Sequence, residues 1–211
     1  MEKIKKYSIS FFQALLAGIC IGVAATIFLN IENKNVGGAL FAIGLLLIFF
    51  FNFKLFTGRV GYLVENKPEY TLDLIFVFFG NFAGTFIMGN LMRLTRNTKV
   101  VDTAKELVKT KLDDNLLSIF ILSVFCGVMM YAAAEFYSKA KDPVIKYLGV
   151  FLPVMAFIFA GFEHVVANCY YFSLAAEWNA KVFLYILIMA LGNSVGGVLF
   201  PLAKKIMKED K

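Results

Sequence analysis

"GFEHVVAN", Gly161 to Asn168, puts Glu163, Asn168 and the only histidine of the chain, His164, into its most apolar region. On one side runs "FLPVMAFIFA" (Phe151–Ala160) and on the other "CYYFSLA" (Cys169–Ala175). The whole segment, roughly 145–174, exceeds the ~20 residues needed to cross a ~30 Å hydrocarbon core. A lone polar side chain in such a span commonly serves as an interhelical hydrogen-bonding group. Three together beside Gly161, which loosens a helix, point instead to an interruption lined by protein or water, since lipid satisfies no freed backbone group.

The rest of the chain supports a membrane setting. Of 211 residues, 60% are hydrophobic, 17% are charged and 24 are Phe, with a mean hydropathy of +0.74. A soluble helical domain would carry more charge. Apolar runs predict an all-α membrane protein with spans at roughly 9–30, 36–64, 71–93, 115–138, 145–174 and 181–203, forming one transmembrane domain over residues 1–211. Between the third and fourth spans, 94–114 is polar but repeats Val101, Ala104, Leu107, Val108 and Leu112 at roughly helical spacing, which predicts a helix on the membrane surface. No signal-peptide cleavage site is read after the first span.

The net charge of +6 does not point to nucleic acid, because the cations cluster at the ends of apolar segments. With an inside amino terminus, twelve Lys and Arg fall on the cytoplasmic side. Eight fall outside: Lys34, Lys181 and six within 93–111. The bias favours cytoplasmic amino and carboxyl termini in the cell membrane. Cys20, Cys126 and Cys169 are too far apart for a disulfide framework or a zinc site. With one histidine and no carboxylate pair in the spans, neither a metal, a cofactor nor an enzymatic reaction is expected.

The second span reads "FFFNFKLFTGRVGYL" (Phe49–Leu63), and Asn52, Lys54, Thr57, Gly58 and Arg59 predict a second interruption, over Phe53–Gly58. Buried Lys and Arg cost about 2.5–3.5 kcal/mol each on insertion scales, so these two either snorkel to the headgroups or face a cavity. "GNFAG" (Gly80–Gly84) in the third span echoes "GNSVGG" (Gly192–Gly197) in the sixth. Thr57 precedes Gly80 by 23 residues and Asn168 precedes Gly192 by 24. Three spans per half make such a repeat inverted across the membrane, an architecture that places a pathway near the midplane.

These motifs, in this order, resemble the formate/nitrite transporter family: "FLPVMAFIFAGFEHVVANCYYFSLA" (Phe151–Ala175) is similar to its fifth-span signature, "LFTG" (Leu55–Gly58) to its second-span loop, and "GNSVGG" to its sixth-span motif. The resemblance covers essentially the whole chain. It implies an aquaporin-like six-helix protomer with broken second and fifth helices, assembled as a homopentamer, that passes small monovalent anions such as formate, nitrite or hydrosulfide. By the same resemblance, Thr57 and His164 are the central pore pair. Leu55 and Phe56 match one constriction, Phe41 and Phe157 the other. Lys111 matches the lysine that draws anions inward, and Asn193 the sixth-span asparagine. "FKLFTGR" departs from the family, which commonly has an acidic residue where Lys54 stands and an asparagine where Arg59 stands.

Moving a bare carboxylate-sized anion into a dry site costs on the order of 20 kcal/mol in the idealised Born limit. Phe41, Phe157, Leu55 and Phe56 would form such dry rings. A cationic vestibule at Lys111 would concentrate anions, and His164, held by Thr57, would hand a proton to a weak-acid anion so that it crosses neutral. Asn168 and Asn193 are expected to satisfy backbone groups at the breaks, and Glu163 to anchor packing or a loop. The alternatives are a hydrosulfide or other small-anion channel in which His164 stays neutral, and an aquaporin-like channel for neutral solutes. The latter lacks paired Asn-Pro-Ala elements.

Overall fold

The computed structural model describes residues 2–209, with side chains described from Ile4 to Met207. Within them the chain is helical: α1 (Glu2–Asn30), α2 (Lys34–Phe50), α3 (Phe56–Arg59), a 3-10 segment (Val60–Glu65), α4 (Glu69–Arg93), α5 (Thr98–Asp113), α6 (Leu116–Lys139), α7 (Pro143–Phe159), α8 (Val165–Ala175) and α9 (Ala180–Glu209). Four of these are long and apolar enough to cross a membrane: Ile4–Asn30 of α1, α4, α6, and Ala180–Met207 of α9. The apolar helices α2, α7 and α8 are shorter. At 17 residues, α2 and α7 each reach about 26 Å at 1.5 Å per residue, short of a ~30 Å core.

Two long pairs carry the packing, α1 along α4 and α6 along α9. Small residues let each pair close. A Cβ at Gly84 would strike the Leu15 carbonyl of α1, and one at Gly196 would strike the Val124 carbonyl of α6. Close backbone approach is how apolar helices gain contact where lipid offers no hydrophobic drive. Large apolar side chains such as Phe12, Leu72, Phe79, Phe125 and Leu187 are exposed on the outside, as a lipid-facing surface requires.

The segment expected as one span at 36–64 is divided. Asn33 caps α2, its Oδ1 accepting from the Asn35 and Val36 amides. After Phe50 the chain turns through Asn52 at φ 55, a left-handed conformation that asparagine tolerates better than most residues. Leu55 is extended (φ −104, ψ 125) and α3 starts at Phe56. Non-helical backbone thus runs over 51–55 and not over Phe53–Gly58. Thr57 and Gly58 lie inside α3, and Gly58 keeps a negative φ. The other divided segment leaves α7 at Ala160, passes Gly161 at φ 67, and enters α8 after His164.

Helix α5 buries Val100, Ala104 and Val108 and packs chiefly on α8. Val101, Leu107 and Leu112 are half-buried at the edge of that stripe. It is a cover for α8 as well as an amphipathic helix. Its last turn brings Lys111 over the α7–α8 break.

Candidate functional site at the two helix breaks

Each break exposes backbone groups, and an asparagine from a neighbouring long helix meets them. On α4, Asn81 Oδ1 accepts from the Phe56 amide at 2.8 Å, while its Nδ2 donates to the Lys54 and Ala14 carbonyls at 2.9 and 2.8 Å. On α9, Asn193 Oδ1 accepts from the Val165 amide at 2.9 Å, while its Nδ2 donates to the Glu163 and Ser123 carbonyls, both at 2.8 Å. The bonding is the same at both breaks and both asparagines are fully buried. Each closes an amide and a carbonyl of its break, which would otherwise cost about 1–3 kcal/mol apiece, and its second N–H ties the break to a mid-helix carbonyl of α1 or α6. The equivalence aligns Leu55 with His164 and Phe56 with Val165, a different pairing from that of Thr57 with Asn168.

His164 stands as the N-cap of α8, 1% exposed. Its Nδ1 accepts from the Ala167 amide at 3.0 Å. An amide can only donate, so Nδ1 carries no proton and Nε2 carries the single ring proton of a neutral imidazole. Nε2 lies 2.8 Å from Thr57 Oγ1 and donates to it. The Thr57 hydroxyl proton is then left pointing elsewhere, with no second protein partner among the described residues. Phe157 stacks on the imidazole (centroids 5.6 Å apart, 21°), and Phe41 meets Phe157 edge-on at 5.8 Å. Leu55 and Phe56 are buried at the start of α3, where Phe56 meets Phe78 edge-on with centroids 5.2 Å apart.

Two cavities lie near this pair, one reaching His164 and one beside the residues next to Thr57. One, of about 100 Å³, is bounded by His164, Phe157, Asn168, Gly161, Lys111 and Tyr171. The other, of about 260 Å³, is bounded by Leu55, Gly58, Arg59, Asn52, Tyr62 and Ser138.

Beside the smaller cavity, Lys111 Nζ donates to both Glu163 oxygens, at 2.7 and 2.6 Å, and Asn168 Nδ2 reaches Oε2 at 2.8 Å. Lys111 and Glu163 side chains are 12% and 6% exposed, so the lysine is held in an ion pair rather than standing as an isolated cation. Glu163 precedes the helix instead of lying on it, and its carboxylate reaches Lys111 while the His164 ring faces Thr57. Asn168 also donates to the His164 carbonyl at 2.9 Å, and its own Oδ1 is buried without a partner. Gly58 supports no break; it sits in α3 with ordinary room at its Cα, the nearest neighbour of an added Cβ being Ala134 at 3.9 Å.

The first break has its own ion pair. Lys54 Nζ lies 3.2 Å from Asp73 Oδ2 and also donates to Ser10 Oγ, which itself donates to Asp73 Oδ1. Sequence reasoning left Asn81, Asp73 and Ser10 out of the site. The repeated "GN" of "GNFAG" and "GNSVGG" was the available signal for Asn81; nothing local marked Asp73 or Ser10. Among the described residues no cluster of His, Cys, Asp and Glu could hold a metal ion, and the three cysteines are unpaired.

The family profile described as "Formate/nitrite transporter" matches residues 2–205. The chain belongs to the formate/nitrite transporter family. Among its relatives in that family are the "Uncharacterized transporter YrhG" of Bacillus subtilis, 27% identical over 183 residues (80% of this chain, 69% of the relative), and the "Formate channel FocA" of Haemophilus influenzae, 24% identical over 240 residues (92% and 84%). The fold matches a solved structure described as "Pentameric formate channel with formate bound", with a TM-score of 0.84, 24% identity and coverage of 98% of this chain and 99% of that one. Family and apolar helices together make this a multi-pass membrane protein of a transporter family.

Proposed function

We propose that the chain is a channel for small monovalent anions of weak acids, formate and nitrite foremost and hydrosulfide in the same chemical class, with the path running between the two cavities past Thr57 and His164. The buried Thr57–His164 hydrogen bond carries this reading: it joins the short helices that follow the two breaks, with one cavity reaching His164 and another bounded by Leu55 and Gly58, the neighbours of the Thr57 segment. Nε2 of His164 donates to Thr57, so the Thr57 hydroxyl is left to donate to a passing anion. Phe41 and Phe157 would narrow one side and Leu55 and Phe56 the other, and Lys111, with its charge balanced by Glu163, would still offer N–H donors at the rim.

In the fuller version His164 passes a proton to the anion, which crosses the apolar ring as the neutral acid. That step needs an imidazolium, whose second proton would sit on Nδ1 and break the bond from the Ala167 amide. This bond favours a second reading, in which His164 stays neutral and orients Thr57 while the weak acid takes its proton from water.

The architecture that fits is six spans in two inverted three-helix halves. In it, α2 with α3 and the 3-10 segment, and α7 with α8, each make one interrupted crossing. The termini are cytoplasmic and five copies assemble, each with its own path. Residues 1–211 act as one transport unit.

The deciding experiment is flux of formate, nitrite, hydrosulfide and nitrate in proteoliposomes between about pH 5 and 8, wild type beside His164→Asn. Proton transfer by His164 predicts uptake that quickens as pH falls in the wild type and loses that dependence in the variant. Unchanged pH dependence in the variant leaves the neutral-histidine reading. Absence of flux for every anion refutes the channel.

A further inference from the structure

We propose that Arg59 makes the larger cavity a second anion site, so that each side of the Thr57–His164 pair has its own basic residue. The proposal rests on the reading of the chain as an anion channel. The cavity of about 260 Å³ is bounded by Leu55 and Gly58 on either side of Phe56 and Thr57 in the chain, and its polar lining is Asn52, Arg59, Tyr62 and Ser138. Two cations stand close to this break in sequence, Lys54 within it and Arg59 at the end of α3, and the fold treats them oppositely. Lys54 is taken by Asp73 and Ser10 and does not line the cavity. Arg59 lines the cavity, and among the described residues no carboxylate pairs with it.

The neighbouring acid does not compete. Glu135, which accepts from Tyr62, is already engaged by Lys139 and Lys204. Ser138 Oγ already donates to the Glu135 carbonyl, so the donors that remain at this mouth are the half-buried Arg59 and the Asn52 amide, around a space of about 260 Å³. A guanidinium presents paired N–H donors that match the two oxygens of a carboxylate or nitrite, which an ammonium does not. Arg59 therefore confers a preference for planar two-oxygen anions over hydrosulfide at this side.

The test uses the full chain in vesicles of known orientation, with initial formate flux measured against concentration added on one face at a time. Arg59→Gln is expected to raise the half-saturating formate concentration about fivefold on the Arg59 face and leave the opposite face unchanged, as loss of one partly exposed charge contact would do. Arg59→Lys should restore hydrosulfide flux more fully than formate flux. A wild-type half-saturation on both faces of Arg59→Gln, or an equal change on both, overturns the site. Crystals of the wild type soaked in bromide give a reading that does not depend on the variant folding: an anomalous peak beside the guanidinium supports the site, and none there overturns it. Wild-type vesicles that pass no anion at all would instead overturn the channel reading.

Discussion

At the scale of single residues, the hydrogen bond from the Ala167 amide to Nδ1 decides most about His164. It fixes the tautomer, points Nε2–H at Thr57, and sets a penalty on any imidazolium. Thr57→Val, which removes the hydroxyl and keeps the shape, should therefore reduce formate flux at least as strongly as His164→Asn, read in the same vesicles. The Lys111–Glu163 pair gives a second prediction. Removing one partner of a buried pair strands the other, at a cost of about 3–5 kcal/mol. Lys111→Met alone should lower the unfolding temperature in detergent markedly, and Lys111→Met with Glu163→Gln should recover most of the loss. The sequence marked Lys111, Glu163 and His164 as separate candidates. It could not tell that the lysine and the carboxylate, 52 positions apart, neutralise one another, because that depends on where α5 lies over α8.

Among the elements, both interruptions are held by asparagines donated from intact helices. Asn81→Ala and Asn193→Ala each leave one carbonyl and one amide of a break buried without that partner, so each should destabilise by a few kcal/mol, at about 1–3 kcal/mol per group. Asn193→Asp, which keeps the acceptor and loses the donors, should fall between. Thermal unfolding monitored by circular dichroism separates the three. The α7–α8 interruption was readable because Gly161 and the polar cluster stand out against an apolar run. The α2–α3 interruption was placed late in the sequence, because Thr57 and Gly58 look like breakers while the turn is made at Asn52 by a left-handed backbone. Asn81 was overlooked although its motif was noticed. Small residues next to it suggested helix contact, which Gly84 does make, and the amide's reach to a loop 25 positions away left no local trace.

For the whole molecule, the two long pairs α1–α4 and α6–α9 close through glycines that meet opposing carbonyls. Gly84→Val or Gly196→Val would force the helices apart, and the yield of folded protein in detergent should drop sharply while Gly58→Ala is tolerated. If five copies assemble, native mass spectrometry should find a species about five times the 23.6 kDa of the chain. The composition made the membrane setting legible, since apolar runs of sufficient length have few other uses. Assembly was not legible from residues alone, because lipid-facing and partner-facing surfaces are both apolar.

The asparagine clamps also bear on what an anion could touch. The amides of Phe56 and Val165 are committed to Asn81 and Asn193, so the first N–H of each short helix is withheld from an ion. If the chain conducts as proposed, its cargo is held by side chains such as those of Thr57 and Arg59, so single substitutions could retune the passage without rebuilding either loop.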